Sequence, residues 1–586
     1  MLPDTRGGAF LIGDLSPGEI FTAEDLSEEH LAIARTVDEF WTREVEPNLA
    51  AIRSQEPGVA RRLLRKSAEL GITAITIPEK YGGMELDLAS AIIAAEHFAR
   101  DGSYAICHEV HTGIGTLPIL YFGTEQQKQK YLPKLAQAEM VAAYALTEPQ
   151  AGSDALAVRT RADLSDDGAH YVLNGQKMWI TNGGIADLFI VFAKIGGEQF
   201  TAFLVERAFP GVTTGAEEHK MGIKGSSTTA LYLDNVPVPV ENVLGEVGRG
   251  HVIAFNILNA GRLKLGPLTI GGAKYVLALS LKYAKERKAF GSAIAQFGAI
   301  QHKLAEMAIR IYAAESMLWR VVGLIENLLG AFSWESEWAG RTLMNTFEEY
   351  ASECSIIKVY CSEVYSYAAD EGVQIHGGYG YHQDYDVERA YRDARINRIY
   401  EGTNEINRLI IPKTLLKRHA RGRLELWHNR LRGGSSISEE SAAPPETDPD
   451  GERRLVRSAK RIAITSLILA NRRFAGELDK QQEVLMNIAD IIMETFAMES
   501  VLLRTRKLAA AGKGADAADM CAVFLRDATA RIEISARNVC GTCLEGPSSH
   551  ESAKALGQLS AYEPVDAIGL RRRIAGRLLE RERYVV

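Results

Sequence analysis

The stretch YVLNGQKMWI, Tyr171–Ile180, decides the fold class of this 586-residue chain. Two runs of strand-forming residues flank Asn174-Gly175, and an Asn-Gly pair in this setting is typical of a two-residue β-hairpin turn. Apolar runs at 189–193 and 200–205 surround a Gly-Gly pair and predict a second hairpin. The pattern therefore predicts an antiparallel β module at this point of the chain.

Helical patterns flank the β module on both sides. Apolar side chains recur at the helical period before and after it, for example along Leu304, Met307 and Ile311. A segment rich in Ser, Pro and acidic residues then predicts a linker, and a last helical segment ends in a basic cluster around Arg571. We therefore predict a mainly α fold in five parts: a helical domain at 24–140, the β domain at 141–250, a helical bundle at 251–425, the linker at 426–450 and a helical extension at 451–586.

The composition excludes several functional classes. Hydrophobic residues make up 46% and charged residues 24% of the chain, as in ordinary soluble proteins. The net charge of -8 leaves no global footprint for nucleic acid. No apolar run approaches the roughly 18 residues of a membrane span, and the first residues start neither a secretory signal nor a transit peptide. Six cysteines do not make a disulfide framework, so we expect a reducing, cytoplasmic setting.

Three short motifs do not match the common metal- and nucleotide-binding signatures that they partly resemble. Cys540 and Cys543 form a lone CxxC without further ligands at suitable spacing, which favours buried structural thiols over a metal or redox site. The glycines at 377–380 lack the third glycine of a dinucleotide fingerprint, and the residues at 512–514 lack the spacing and the hydroxyl of a phosphate-binding loop. A nicotinamide-dependent dehydrogenase and a nucleotidase therefore lose support, and no residue cluster has metal-ligand spacing.

A second informative stretch is RIYEGTNE, Arg398–Glu405. It places Glu401 between an aromatic ring and a glycine, and the glycine leaves room for a flat ligand beside the carboxylate. In an apolar site the pKa of such a carboxyl rises toward working pH, where it can act as a general base. The alternative is a solvated turn, and the residues of this stretch alone leave both interpretations open.

Three spaced motifs together resemble the acyl-CoA dehydrogenase family. YALTEPQAGSD at 144–154 resembles its first signature, and KMWITNGG at 177–184 is similar to the strand behind its flavin ring. QIHGGYG at 374–380, running on to YEGT at 400–403, resembles the second signature. The motifs stand in the family's order, and the resemblance covers roughly residues 25–425. Further segments, among them MGIKGS, NVLGEVG and ILNAGR, resemble the very-long-chain branch, as does the carboxy-terminal extension.

The resemblance implies a fold and a reaction. The acyl-CoA dehydrogenase fold has an amino-terminal helical domain, a middle β-barrel-like domain and a helical bundle, which the extra helical domain would follow here. The implied reaction is FAD-dependent α,β-dehydrogenation of a long-chain acyl-CoA to trans-2-enoyl-CoA in fatty acid β-oxidation, with electrons passed to an electron-transfer flavoprotein. Glu401 would be the catalytic base, since relatives with the base on an earlier helix carry a glutamate where this chain has Gly261.

The resemblance also assigns binding residues. Arg287 resembles an arginine that reaches the FAD diphosphate of a neighbouring subunit, which implies a homodimer, and its fork suits phosphate oxygens. The implied cofactor-binding residues are Tyr144, Leu146, Thr147, Ser153, Trp179, Ile180, Thr181, Arg287, Phe290, Gln374, Gly377, Gly378, Thr403, Asn404 and Glu405. The implied substrate-binding residues are Ser153, Asn259, Arg262 and Gly402.

The sequence leaves alternatives open for the acyl pocket, for the carboxy-terminal extension and for the function. Gly113 and Gly115 lie where relatives set the floor of the acyl pocket, and they predict either a deep tunnel or close helix packing. The extension predicts either a structural domain that favours a dimer or a peripheral membrane contact through its basic helices. Electron transfer to oxygen, as in acyl-CoA oxidases, and a flavin-carrying scaffold are the alternative functions. The presence of Glu401 favours the dehydrogenase over the scaffold.

Overall fold

The computed structural model describes residues 6–427, 450–545 and 547–586 of the chain, so almost all of the predicted linker at 426–450 lies outside the described residues. A helical domain comes first, as predicted. A π-helical turn, His111–Gly115, lies between its fifth and sixth helices. The helices are α1 (Glu28–Phe40), α2 (Leu49–Arg53), α3 (Val59–Glu69), α4 (Leu88–Phe98), α5 (Gly102–Val110), α6 (Leu117–Phe122) and α7 (Glu125–Ala136).

The predicted β module is present, and in the described part of the chain it forms one eight-stranded sheet. Its strands are β1 (Ala142–Ala145), β2 (Arg161–Leu164), β3 (His170–Thr181), β4 (Leu188–Ile195), β5 (Gln199–Glu206), β6 (Val212–Thr214), β7 (Thr228–Pro239) and β8 (Val243–Leu244). The order is β6-β7-β3-β2-β4-β5-β8, with β1 on β4. Most pairs are antiparallel, including the predicted hairpin of β4 and β5, but β4 pairs in parallel with β1 and β2.

The first predicted hairpin is wrong, because Asn174 and Gly175 lie inside a strand. β3 runs through both residues and pairs with β7 on either side of a β-bulge at this point. A side chain at position 175 would put its Cβ 2.8 Å from Cα of Thr160, so glycine allows a close approach of the chain just before β2. The actual turn joins β2 to β3, where Asp167-Gly168 supplies the turn signal.

The residues after the sheet form the predicted helical bundle. It contains α8 (Gly250–Glu286), α9 (Gly298–Leu329), α10 (Ala339–Glu349), α11 (Ala351–His376), α12 (Asp386–Ala394) and α13 (Asn404–Ala420). A short antiparallel ribbon, β9 (Lys288–Ala289) and β10 (Ser292–Ala293), lies between α8 and α9. Helices α8, α9 and α11 pack against one another, and α13 packs on α11. Leu304, Met307 and Ile311 of α9 are fully buried, as their spacing predicts.

The carboxy-terminal extension is a further helical layer on the bundle. Its helices are α14 (Gly451–Phe474), α15 (Gln482–Ala510), α16 (Ala515–Cys543), α17 (Pro547–Leu559) and α18 (Ala567–Arg581). Helix α15 packs against α9 and α13, and α18 packs against α9. Arg571 of α18 pairs with Glu306 of α9 at 2.7 Å, and Arg577 pairs with Asp516 of α16 at 3.0 Å. These basic side chains have acidic partners inside the fold, which favours the structural-domain interpretation over a membrane contact.

The extension also contains the two cysteines of the CxxC motif. Cys540 and Cys543 are free and buried, and burial raises the pKa of both thiols to about 11. The interpretation of this CxxC as buried structural thiols is therefore supported.

Throughout the part of the chain that the structure describes, no helix has both the length and the apolar character needed to cross a membrane.

Candidate active site

Glu401 lies in the tight turn just before α13. Its backbone is left-handed, with φ of +58°, which a glutamate rarely adopts. Oε2 of its side chain is buried and has no hydrogen-bond partner among the described residues. Burial raises the pKa of the Glu401 carboxyl to about 7, although Arg262 and Lys358 favour its charged form. The turn therefore presents a carboxyl that can exchange a proton near neutral pH, and its Oε2 lacks a hydrogen-bond partner among these residues.

Gly261 of α8 provides the space that the Glu401 carboxyl occupies. A Cβ at position 261 would lie 2.6 Å from Oε2 of Glu401 and 3.3 Å from Cγ2 of Ile114. The first distance is shorter than any normal contact of a Cβ, so the carboxyl takes the volume that a side chain at position 261 would need. Position 261 therefore matters in two ways: it carries no base, and it leaves room for one.

Asn259 and Arg262 lie together beside the Glu401 turn. Arg262 donates from Nε to the carbonyl oxygen of Glu401 at 3.3 Å and from Nη1 to Oδ1 of Asn259 at 2.9 Å. Both side chains are buried. The structure thus brings Asn259, Arg262 and Gly402 of the predicted substrate-binding residues to the turn. The fourth, Ser153, is exposed in the loop after β1.

The residues predicted to face the flavin lie on two joined segments of the sheet. Leu146 and Thr147 directly follow β1, and the N–H of Met178 on β3 donates to the carbonyl oxygen of Thr147 at 2.9 Å. Trp179 has φ of +60° and is 54% exposed. A large, half-exposed aromatic side chain held in an uncommon backbone conformation suits a flat ligand. The side chain of Ile180 lies in the sheet core, so only its backbone can reach that ligand.

Tyr144 joins the two groups of residues. Its side chain is buried, and its hydroxyl has no hydrogen-bond partner among the described residues. Burial, together with the nearby Glu401 carboxylate, raises the pKa of the Tyr144 phenol. A buried polar atom without a partner costs free energy. The two unpartnered groups, on Tyr144 and Glu401, therefore mark a place where a bound molecule would supply polar contacts.

A second group of predicted residues lines a cleft of about 600 Å³ at the ends of α8 and α11. Arg287, Phe290, Gly377 and Gly378 all contribute to it. The Arg287 guanidinium lies 5.6 Å from the ring centre of Tyr379. Phe290 is 97% exposed. Neither Glu401 nor Trp179 lines this cleft, so the structure divides the predicted site between two places. Gln374 is exposed near the end of α11 and is not part of the lining.

The start of α13 contains three more of the predicted cofactor-binding residues, Thr403, Asn404 and Glu405. Oγ1 of Thr403 caps the helix by accepting the N–H of Ile406 at 3.2 Å. Glu405 is exposed, and Thr181 on β3 is half-buried. Asn404 is 2% exposed, and its side chain is directed into the fold toward α11. The predicted contact between the Asn404 side chain and a cofactor therefore has no support from its orientation.

Comparison with known proteins shows which family carries this arrangement. Models of the acyl-CoA dehydrogenase N-terminal, middle and C-terminal domains match residues 27–139, 143–236 and 248–416, and a further C-terminal domain model of the same family matches 458–556. A probable acyl-CoA dehydrogenase of Bacillus subtilis is 47% identical over 590 residues, covering 99% of this chain and 98% of the relative. The chain belongs to the acyl-CoA dehydrogenase family.

A solved structure and a mitochondrial enzyme are also similar to this acyl-CoA dehydrogenase. The crystal structure of an acyl-CoA dehydrogenase complexed with FAD from Bacillus anthracis is 46% identical, with a TM-score of 0.96 over 99% of this chain and 100% of that one. The very long-chain specific acyl-CoA dehydrogenase of Mus musculus is 41% identical over 353 residues, which are 58% of this chain and 51% of the mouse protein. The predicted fold, including the extra helical domain, is therefore confirmed.

The structure assigns a role to an ion pair of this acyl-CoA dehydrogenase that the sequence did not reveal. Lys177 is fully buried and donates to Glu148 at 2.7 Å, and burial lowers the pKa of Lys177 to about 8. Glu148 also accepts the backbone N–H groups of Arg159 and Thr160, at 2.6 and 3.0 Å. The pair therefore fixes the loop that carries Thr147 onto β3. Lys177 and Glu148 both stand within the recognised motifs, and that was the available signal.

Lys358 of α11 is the second residue that the sequence did not reveal. It is completely buried, and Nζ donates to the carbonyl oxygen of Gly402 at 2.7 Å. Burial lowers the pKa of Lys358 to about 7. Because 44 residues separate Lys358 from Gly402, no local pattern could join them.

The two glycines at the predicted floor of the acyl pocket have different explanations. A Cβ at Gly115 would lie 2.8 Å from Cβ of Ala142, so close packing on β1 accounts for this glycine. Gly113 has φ of -97° and ψ of -107° inside the π-helical turn. A Cβ at Gly113 would meet only Lys264, at 3.7 Å. Close packing therefore does not account for Gly113, and the tunnel stays a prediction.

Proposed function

We propose that this acyl-CoA dehydrogenase uses FAD to dehydrogenate long-chain acyl-CoA to trans-2-enoyl-CoA in fatty acid β-oxidation. The observation that carries the proposal is the Glu401 carboxyl, whose buried Oε2 has no hydrogen-bond partner in the described part of the chain and whose pKa is raised to about 7. A general base is most effective when its pKa lies near the working pH. Such a group suits the removal of a proton from carbon.

The residues present fit FAD at two places. The half-exposed side chain of Trp179 suits the flavin ring, as does the Tyr144 hydroxyl, which has no hydrogen-bond partner among the described residues. Arg287 and the adjacent glycines of the second cleft suit a diphosphate, because a guanidinium binds phosphate oxygens bidentately and glycine lets backbone N–H groups approach them. When bound, FAD supplies a hydride acceptor, which no side chain can be. The Bacillus anthracis relative is complexed with FAD, which supports the same cofactor here.

The position of Arg287 supports a homodimer as a further part of the proposal. Neither Trp179 nor Glu401 lines the cleft that contains Arg287. We propose that the cleft around Arg287 receives the diphosphate of the cofactor bound by a second copy. The exposed Phe290 at its rim would become covered in such a dimer.

The proton step belongs to Glu401. One carboxylate oxygen accepts the α-proton of the thioester while a hydride leaves the β-carbon, and the two electrons of the α C–H bond form the new double bond. The backbone N–H of Glu401 would stabilise the developing enolate oxygen. Arg262 donates to the carbonyl oxygen of Glu401, which fixes the position of the turn. Arg262 also favours the charged form of the Glu401 carboxyl, which is the form that accepts a proton.

The acyl chain length and the electron acceptor are finer parts of the proposal. The similarity to a very long-chain specific enzyme supports a long chain. Each methylene that enters an apolar tunnel contributes about 0.8 kcal/mol, so affinity should rise with length until the tunnel is full. We propose an electron-transfer flavoprotein as the acceptor, as the family resemblance implies.

An anaerobic titration tests the proposal. The purified protein should carry flavin, and palmitoyl-CoA should bleach its absorbance at about 450 nm. Across a series of acyl-CoAs, we expect the best substrates to have more than about ten carbons, because longer chains bury more methylenes. Absence of flavin, or of bleaching, would contradict the proposal. Reoxidation that is faster with air than with an electron-transfer flavoprotein would instead indicate an oxidase.

The pH dependence of flavin reduction offers a separate prediction. Glu401 accepts a proton only as a carboxylate, and its pKa is raised to about 7. As the pH falls below this value, the protonated fraction grows, and kcat/KM should fall about tenfold per pH unit because this constant reports the free enzyme. Stopped-flow reduction between pH 5 and 9 would measure it. A plateau that continues to pH 5 would mean that the base has an ordinary carboxyl pKa.

A further inference from the structure

Lys358 holds the turn that carries Glu401. Its Nζ donates to the carbonyl oxygen of Gly402 at 2.7 Å and to Oδ1 of Asn404 at 2.7 Å. Gly402 directly follows Glu401, whose left-handed backbone is uncommon for a glutamate and needs support from its surroundings. The buried ammonium group of Lys358 provides that support by fixing the next carbonyl group.

Asn404 is in turn held by α11. Its Nδ2 donates to Oγ of Ser362 at 3.1 Å and to Oε1 of Glu363 at 3.0 Å. With Lys358 bound to its oxygen, the Asn404 amide cannot rotate without breaking all three contacts. The position of the Lys358 ammonium group therefore depends on where the Glu363 carboxylate lies.

Arg408 of α13 fixes Glu363 and reaches the extension. Its two terminal nitrogens donate to the two oxygens of Glu363 at 2.7 and 2.9 Å. Its Nε donates to Oδ1 of Asp490 on α15 at 2.7 Å. A bidentate guanidinium sets the plane of a carboxylate as well as its position. Asp490 belongs to the extension, whereas Arg408 and Glu363 belong to the bundle.

We propose that the carboxy-terminal extension positions the catalytic base. Asp490, Arg408, Glu363, Asn404 and Lys358 form a continuous series of contacts, here called the support chain, which ends on the Glu401 turn. Lys358 is the positioning residue at its inner end, and Asp490 is its outer anchor. The inference rests on the proposed function, because it assumes that Glu401 is the base. It gives the extension a role in catalysis without a contact to substrate or cofactor.

The charged groups around Lys358, at the inner end of the support chain, decide whether its removal raises or lowers the pKa of Glu401. Lys358 faces Glu401 and Glu405 near the turn, Arg262 on α8 and Glu363 on α11. Glu401 itself faces Arg262, Lys358, Tyr144 and Tyr400. The Lys358 charge lowers the pKa of the Glu401 carboxyl, so its removal should move the acid limb of flavin reduction to higher pH. Substitution of Asp490 leaves the Lys358 charge in place. We therefore expect such a variant to change the position of the Glu401 carboxyl and not its pKa.

Asp490→Asn is the decisive variant, since it keeps the shape and removes only the charge of a half-exposed side chain. With palmitoyl-CoA at saturation, we expect anaerobic flavin reduction to slow about tenfold with an unchanged half-saturation concentration, because small misplacements of a catalytic group are costly. Hydrogen exchange of the peptide that covers Glu401 should become faster in the FAD-loaded protein. Lys358→Met should slow the reaction further and move the acid limb upward.

Asp479→Asn is the matched control. Asp479 pairs with Lys413 of α13 at 2.8 Å, so it also joins the extension to α13, but it lies outside the support chain. We expect wild-type reduction and exchange for this variant. In the Lys358→Met background, Asp490→Asn should add no further loss.

The outcomes separate the two proposals. If wild-type protein is bleached and Asp490→Asn behaves like Asp479→Asn in both measurements, the support chain has no role and the proposed function stands. Additive effects of Asp490→Asn and Lys358→Met would equally exclude action through Lys358. If wild-type protein is not bleached at all, the proposed function fails and the inference fails with it.

Discussion

Glu401→Gln should reduce the rate of flavin reduction by palmitoyl-CoA by about 10³-fold, because positioned general bases contribute 10²–10⁴-fold. Glutamine has nearly the shape of glutamate but cannot accept a proton. FAD content and the affinity for acyl-CoA should stay close to wild type, since neither depends on the proton. Stopped-flow reduction together with equilibrium binding would measure both.

The same variant makes a prediction about stability. Oε2 of Glu401 is buried without a hydrogen-bond partner among the described residues, and folding raises the pKa of this carboxyl from 4.5 to about 7. The free energy of unfolding therefore decreases as the pH rises from about 4.5 to about 7, and the loss stays constant at higher pH. Glu401→Gln should therefore unfold at the same or a higher temperature than wild type. Glu348→Gln, at an exposed position of α10, is the control and should change neither rate nor stability. Turnover near the wild-type rate in Glu401→Gln would remove Glu401 from the mechanism.

Gly261→Ala should slow flavin reduction by roughly 10²-fold, a typical consequence of moving a catalytic group by about 1 Å. The added Cβ would lie 2.6 Å from Oε2 of Glu401, so the carboxyl must move. Because that contact is with the end of a flexible side chain, the fold should accept the change. Alanine is also favoured over glycine in a helix by about 1 kcal/mol, so the melting temperature should not fall.

A second glycine provides the comparison for Gly261→Ala. Gly576 lies in α18, and nothing lies within 4 Å of a Cβ built on it. Gly576→Ala therefore makes the same chemical change in a helix without a steric contact, and it should keep wild-type activity. Equal activity of the two variants would show that the Glu401 carboxyl works from a different place than the structure indicates.

The fold was predictable to the extent that it follows from local patterns. Apolar residues at helical spacing identified the bundle and the extension, and alternating strand-forming runs identified the sheet, because both patterns reflect which side of an element is buried. The hairpin at Asn174-Gly175 failed for the opposite reason. Asn-Gly favours a turn locally, but the close approach of Thr160 uses the glycine inside β3. A tertiary contact therefore overrode a local preference.

The candidate site shows the same division. Glu401, Trp179 and Arg287 stand in recognisable motifs, so the sequence identified them as candidates. It could not show that Arg287 lies in a separate cleft from the other two, or that the side chain of Asn404 is directed into the fold. These are statements about the relative position of distant segments, and no motif contains that information.

The sequence by itself determined the family, the order of helices and sheet, and the identity of the candidate base, because each depends on residue types within a short window. Only the tertiary structure decided why position 261 must be glycine and how the extension reaches the turn. The contacts between Lys358 and Gly402 and between Arg408 and Asp490 join residues 44 and 82 positions apart. Such contacts form because packing brings α11, α13 and α15 together, and packing depends on the whole chain at once.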